Sequence, residues 1–193
     1  MTTFTSYTLD NAPAASRAKL AEVAQAWGFL PKLHGNLAES PLALTAYDTL
    51  FGLVAAQSTL TPIEQQVAYQ AINVLHACEY CTAGHTYLSR SVKMDEAAIA
   101  ALRNGTPIPD TKLQALRVFA EAVVRERGLV SEATVDAFIA AGFSKAQVLE
   151  VVTIAATKTI SNYTNHLTKT PKESFMADPA LGWVAPRNRA KAA

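Results

Sequence analysis

The sequence predicts an all-α protein. Alanine is abundant, apolar residues recur at spacings of three and four, and no Asn-Gly hairpin signal sits between alternating apolar runs. The expected helices span about 14–26, 41–57, 61–76, 79–91, 95–103, 111–127, 132–140 and 144–167. The first rests on its apolar spacing. The second opens on Ser40-Pro41 and the third on Thr61-Pro62, each with proline at the first helical position, and Thr61 with Glu64 fits a capping box. The fourth carries a cluster of cysteine and histidine. The fifth should stop at Gly105, inside the break "NGTPIPD" (Asn104 to Asp110). Asp110, Ser131 and Ser144 are caps for the last three, with Gly128 and Gly142 as stops. From Pro171 onward a surface extension is expected, partly anchored by Trp183, with the last ten residues frayed.

The 193 residues fit one domain, with a core at about 41–167, an N-terminal helical extension over 1–40 and a tail over 171–193. The chain is 50% hydrophobic, 17% charged and carries a formal charge of +1. Its Lys and Arg residues are scattered, which argues against nucleic acid and membrane surfaces as partners. The first twenty residues lack the basic and apolar regions of a signal peptide, and the apolar runs are too short to span a bilayer. A soluble, cytoplasmic protein is expected, in which two cysteines are reactive or metal-bound rather than a structural staple. "LTPIEQQ…ACEYCTAGH" also aligns without a gap on "FSKAQVL…ISNYTNHLT", pairing Glu64 with Gln147, Cys78 with Ser161, Tyr80 with Tyr163 and Cys81 with Thr164. If this is a repeat, each copy is a helix, a loop and a second helical stretch.

The segment "HACEYCTAGH", His76 to His85, holds both cysteines and two of the four histidines. On a helix, Cys78, Cys81 and His85 share one face. Backbone N–H groups at a helix start favour a thiolate, and the second sulfur lies near enough to form a disulfide. His85, one turn below Cys81, is placed to exchange the proton or to stabilise the thiolate. If the chain reverses near His76-Ala77, Gln66 and Glu64 lie opposite His85 and can orient it.

Other readings compete. Paired cysteines can be buried apolar residues. Zinc could take His76, Cys78, Cys81 and His85, but the one-residue gap is unusual and no second ligand pair exists, so no metal is expected. The haem pattern fails at Thr82. Glu64 also reads as a capping residue. Tyr69, Tyr80 and Tyr87 read as packing, and His34 as a surface residue. Asn162 and His166 read as polar groups at a helix end that could reach a pocket.

"LTPIEQQVAYQAINVLHACEYCTAGHT", Leu60 to Thr86, resembles the core motif of the carboxymuconolactone decarboxylase superfamily in its alkylhydroperoxidase D-like (AhpD-like) branch, and "SNYTNHL", Ser161 to Leu167, resembles its peroxidase-related members. The resemblance implies an AhpD-like helical bundle with the Cys-x-x-Cys at the start of a central helix, and a homo-oligomer, a trimer or hexamer. It implies thiol-dependent peroxide reduction without a cofactor: Cys81 attacks the peroxide, Cys78 resolves the sulfenic acid, His85 belongs to the proton relay, and an external dithiol, protein or lipoyl-bearing, regenerates the pair. The family's relay glutamate falls twelve residues before the first cysteine, where this chain has Gln66; Glu64 is the nearest acid. The position that carries histidine between the cysteines in the best-known member is Tyr80 here. Tyr80, Tyr163 and His166 are candidate substrate-binding residues, with Phe51, Tyr69 and Tyr163 a possible aromatic gate. The alternatives are a dithiol–disulfide oxidoreductase and a redox-sensing oligomeric binding protein; lactone decarboxylation fits less well, because that branch typically lacks the cysteine pair.

Overall fold

The computed structural model describes residues 3–189, which are helical and contain no strand. The helices are α1 (Ala14–Trp27), α2 (Lys32–Leu37), α3 (Pro41–Gln57), α4 (Pro62–Leu75), α5 (Glu79–Ser91), α6 (Glu96–Asn104), α7 (Thr111–Arg125), α8 (Glu132–Ala140) and α9 (Lys145–Thr168). A 3₁₀ turn (Ser174–Ala177) and a short helix α10 (Pro186–Arg189) follow.

Helix α4 is the axis of the bundle. Every residue from Glu64 to Asn73 is buried, and the helix packs against α5, α7 and α9. Its apolar face joins one core through Val67, Ala68 and Ile72, which meet Leu116 and Phe119 of α7 and Ile154 of α9. Phe119, Phe138 and Phe143 stack in a row with centroids 4.2 and 4.3 Å apart, adding aromatic contact to the area they bury. A second core joins α1 to α3 through Leu20, Leu33, Leu37, Leu44 and Tyr47. Gly35 allows this N-terminal layer to close: a Cβ there would lie 2.4 Å from the Tyr7 carbonyl oxygen.

The expected caps are in place. Ser40, Thr61, Asp110, Ser131 and Ser144 each accept a hydrogen bond from the backbone N–H three residues on. Thr61–Glu64 and Ser144–Gln147 are reciprocal capping boxes. These two boxes are the part of the internal alignment that the structure repeats. The rest diverges, because the first copy breaks at His76–Cys78 whereas α9 runs unbroken through Ser161.

The C-terminal segment is anchored at Trp183, as expected, and more widely than the sequence suggests. Met176, Leu181, Trp183 and Ala185 are buried, and the Trp183 Nε1 donates to the Arg103 carbonyl oxygen at 2.9 Å. Glu79 accepts from the Ala185 N–H and from Asn188 in α10. Of the ten residues expected to fray, Val184 to Arg189 are thus part of the structure, and 190–193 lie outside the described residues.

Candidate active site

The site begins with the reversal between α4 and α5. Ala77 adopts the left-handed conformation (φ 55°). Its N–H donates to the Val74 carbonyl oxygen and the Cys78 N–H to that of Asn73, a Schellman closure without the usual glycine. The chain therefore turns at the expected place, although the sequence carries no turn residue there. Cys78 becomes the N-cap of α5 and Cys81 enters its first turn. Both are free thiols, buried at 1% and 4% exposure.

The antiparallel α4–α5 pair brings Gln66 to His85. The Gln66 Oε1 lies 2.8 Å from the His85 Nδ1. On the other side of the ring the Lys158 Nζ lies 3.1 Å from Nε2. An ammonium has only donors, so Nε2 must accept and Nδ1 must carry the proton, which it donates to Gln66. Burial, reinforced by Lys158, holds the imidazole neutral, well below the usual histidine range. Both nitrogens of His85, the residue expected to exchange a proton with Cys81, are thus engaged by Gln66 and Lys158. Glu64 takes the capping place: its carboxylate accepts from the Thr61 N–H and pairs with Lys112 at 2.7 Å, while Gln66 is the residue of the two that meets His85.

Helix α9 supplies one residue that the sequence did not single out, Lys158, beside three from the segment that it did. Lys158, Ser161, Asn162 and Asn165 are buried on one face of it. The Asn165 Nδ2 lies 3.1 Å from the Cys81 sulfur and 3.6 Å from that of Cys78. Asn162 donates to the Asn73 Oδ1 and accepts from the His76 Nδ1. Asn73 in turn donates to the Cys81 carbonyl oxygen at 3.4 Å. The two sulfurs are driven apart in acidity. The hydrogen bond it donates to Cys81, with burial, pushes the Cys78 thiol up. Burial alone would raise Cys81 as well, but the Cys78 thiol, the Lys158 charge and the Ser161 and Asn162 side chains outweigh it and lower the thiol. The thiolate is thus favoured on Cys81 over Cys78.

Cys81, His85 and Lys158 form one wall of a cavity of about 440 Å³. The other walls are mainly apolar, including Trp27, Phe29, Tyr47, Phe51, Tyr87 and Phe175. The C-terminal segment crosses one side and is held by Glu173, whose Oε1 accepts from the Tyr80 hydroxyl and from the Lys32 N–H at the start of α2, both at 2.7 Å. Tyr80 and Phe51 therefore reach the cavity. Tyr163 and His166 do not: Tyr163 is half-exposed and lies against His76, and His166 is exposed. Tyr69 sits behind the wall, in contact with Phe51 and His85. His34, expected at the surface, is buried, lines the cavity and is pushed down to about 4 by burial against a small opposing effect of Asp48. No group of three or more His, Cys, Asp or Glu side chains is arranged to hold a metal ion among the described residues.

Residues 41–122, which contain α4, the cysteine pair and His85, match the model of the carboxymuconolactone decarboxylase family. The chain is thus similar to that family over 82 of its 193 residues. Its fold is AhpD-like. The structure superposes on an uncharacterised peroxidase-related protein from Ralstonia eutropha JMP134 with an alkylhydroperoxidase AhpD core (TM-score 0.77, 20% identity, 89% of this chain and 92% of that one). A peroxidase-related protein from Silicibacter sp. TM1040 gives a TM-score of 0.76 at 16% identity, over 92% and 95% of the two chains. A variant of the debrominase Bmp8 bound to 2,3,4-tribromopyrrole gives 0.73 at 16% identity, over 90% and 93%. At these identities the likeness is one of fold. No curated protein matches the chain significantly.

Proposed function

We propose that this chain is an AhpD-like member of the carboxymuconolactone decarboxylase superfamily and a cysteine-dependent oxidoreductase that reduces organic hydroperoxides with the Cys78/Cys81 dithiol. The observation that carries the reading is Cys81, buried, with its thiol pKa lowered, and set in the wall of an apolar cavity with a second thiol beside it. The Cys81 thiolate attacks the outer peroxide oxygen. An S–O bond forms, the O–O bond breaks, and the alkoxide leaves and takes a proton to become the alcohol. The Cys78 sulfur then attacks the Cys81 sulfenic acid, a disulfide forms, and hydroxide leaves as water with the Cys78 proton. One hydroperoxide is reduced by two electrons and two thiols become one disulfide. An external dithiol, protein or lipoyl-bearing, restores the pair by exchange, which suits a reducing compartment such as the cytoplasm.

His85 positions rather than relays in this scheme. Gln66 orients the ring as an acceptor but has no proton to ionise. Tyr80 belongs to the cavity wall and, through Glu173, to the segment that closes it.

The aromatic lining favours a second reading for the same dithiol, the reductive removal of halogen from a small aromatic ring. It is supported by the fold shared with a debrominase that binds a brominated pyrrole. There the thiolate would take the halogen from the ring, the ring carbon would gain a proton, and Cys78 would displace halide to form the same disulfide. The reduced protein, supplied with a dithiol reductant, should be offered cumene hydroperoxide and a brominated pyrrole in parallel. Hydroperoxide consumption lost in Cys81→Ser supports the first reading. Bromide release without hydroperoxide consumption would replace it with the second.

The assembly belongs to the same proposal. Helices α3 and α9 pack on each other yet leave Leu42, Leu53, Leu149 and Val152 exposed, Leu42 at 81%. Apolar side chains on two adjoining helices suit burial between copies of the chain, and we read the protein as a homo-oligomer.

A further inference from the structure

Lys158, Ser161, Asn162 and Asn165 follow the i, i+3, i+4, i+7 spacing of one helix face, and all four are buried in the middle of the bundle. A polar face so placed is costly unless it has partners. Here the partners converge on the dithiol. Asn165 reaches both sulfurs, and Asn162 reaches Asn73, which braces the Cys81 carbonyl oxygen.

Lys158 is the unusual member. Its side chain is fully buried, it touches the neutral His85 Nε2 at 3.1 Å, and its Nζ lies 5.6 Å from the centre of the Tyr69 ring. No Asp or Glu oxygen lies within 4.0 Å of it among the described residues. A buried cation calls for an anion. The titratable groups around it are Tyr47 from α3, Tyr69 from α4, His76 at the end of α4, Cys78 at the start of α5, Tyr80, Cys81 and His85 from α5, His34 from α2 and Glu173 from the C-terminal segment. Glu173 is taken up by Tyr80 and the start of α2. That leaves Cys81 as the anion and Lys158 as the cation of the same cavity wall.

Resting on the oxidoreductase reading, we propose that Lys158 is the counter-ion of the Cys81 thiolate and the proton donor to the departing alkoxide, in a site where Gln66 has no proton to ionise. When the S–O bond forms and the O–O bond breaks, the negative charge leaves sulfur for the alkoxide oxygen. The Lys158 ammonium gives that oxygen a proton and becomes an amine as the alcohol forms. The cavity wall stays neutral throughout: ammonium and thiolate before the step, amine and sulfenic acid after it. Water returns the proton to Lys158, and reduction of the disulfide regenerates the thiolate.

Two readouts separate the two parts of this role. Alkylation of Cys81 by iodoacetamide against pH reports the thiolate and needs no proton donor. Cumene hydroperoxide consumption needs both. Lys158→Met keeps the unbranched shape, and it should raise the alkylation midpoint by about one pH unit or more and slow peroxide consumption at neutral pH by about tenfold or more. Lys158→Arg keeps the charge but does not release its proton, so it should retain the alkylation profile and lose peroxide consumption. A folded Lys158→Met protein with the wild-type midpoint and peroxide rate would overturn the proposal. Should neither variant fold, the wild type decides. A thiolate absorbance that persists at neutral pH supports the proposal, and a midpoint at or above the ordinary thiol value of about 8.5 overturns it. Equal hydroperoxide consumption by wild type and Cys81→Ser would instead remove the oxidoreductase reading, and the alkylation profile would still test the ion pair.

Discussion

Two thiols lie buried side by side, and their roles follow from which sulfur receives the donors. Asn165 lies nearer Cys81, and Lys158 and Ser161 also favour its thiolate. Cys78→Ser should therefore still react with hydroperoxide but stop at the sulfenic acid, seen as a dimedone adduct, whereas Cys81→Ser should form none. The Gln66–His85 contact was legible in the sequence because counting outward from a helix reversal pairs residues at equal distance. Lys158 was not, since it lies 73 residues from His85 and a lysine in a helix ordinarily reads as solvated. The buried histidines have a second consequence. Burial pushes His34 down to about 4, and burial with Lys158 holds His85 low. Unfolded, each takes a proton near 6.5. Below that pH the unfolded chain binds more protons than the folded one, so stability falls as pH falls. For His34 the loss runs between about 6.5 and about 4, at up to about 1.4 kcal/mol per pH unit. Urea midpoints should drop across this window, less steeply in His34→Gln.

Helix boundaries followed local chemistry wherever a cap marked them, which is why the starts of α3, α4, α7, α8 and α9 were readable to within a residue. Two elements were not readable. Helix α2 has only six residues, too few for a periodic pattern, and it is held by its ends: Glu173 accepts from the first N–H and Asn36 donates to Thr168 and Thr170. The C-terminal segment is fixed by contacts with α5 and α6 that lie far away in sequence. The α4–α5 turn is a third case, because its left-handed residue is Ala77 rather than glycine. An alanine there carries strain that glycine lacks, partly offset by the greater freedom glycine loses on folding. Ala77→Gly should raise the unfolding free energy by about 0.5–1 kcal/mol, read from urea midpoints.

Across the whole molecule, α4 is buried by its neighbours, whereas α3 and α9 are covered on one face only. Leu42 and Leu53 of α3 are apolar, and spacing along the sequence cannot say whether that surface meets its own chain or another. Light scattering at micromolar concentration should give a multiple of the 20.6 kDa chain, and Leu42→Glu with Leu149→Glu should shift it toward the monomer. A monomeric wild type would remove the assembly proposal without touching the dithiol chemistry. That chemistry is tested most directly by mass spectrometry on the reduced protein after one equivalent of cumene hydroperoxide. The account predicts a disulfide between Cys78 and Cys81, seen as the loss of two hydrogens from the peptide that holds both and formed as fast as the hydroperoxide disappears. Cysteines that stay free while the hydroperoxide persists would contradict it.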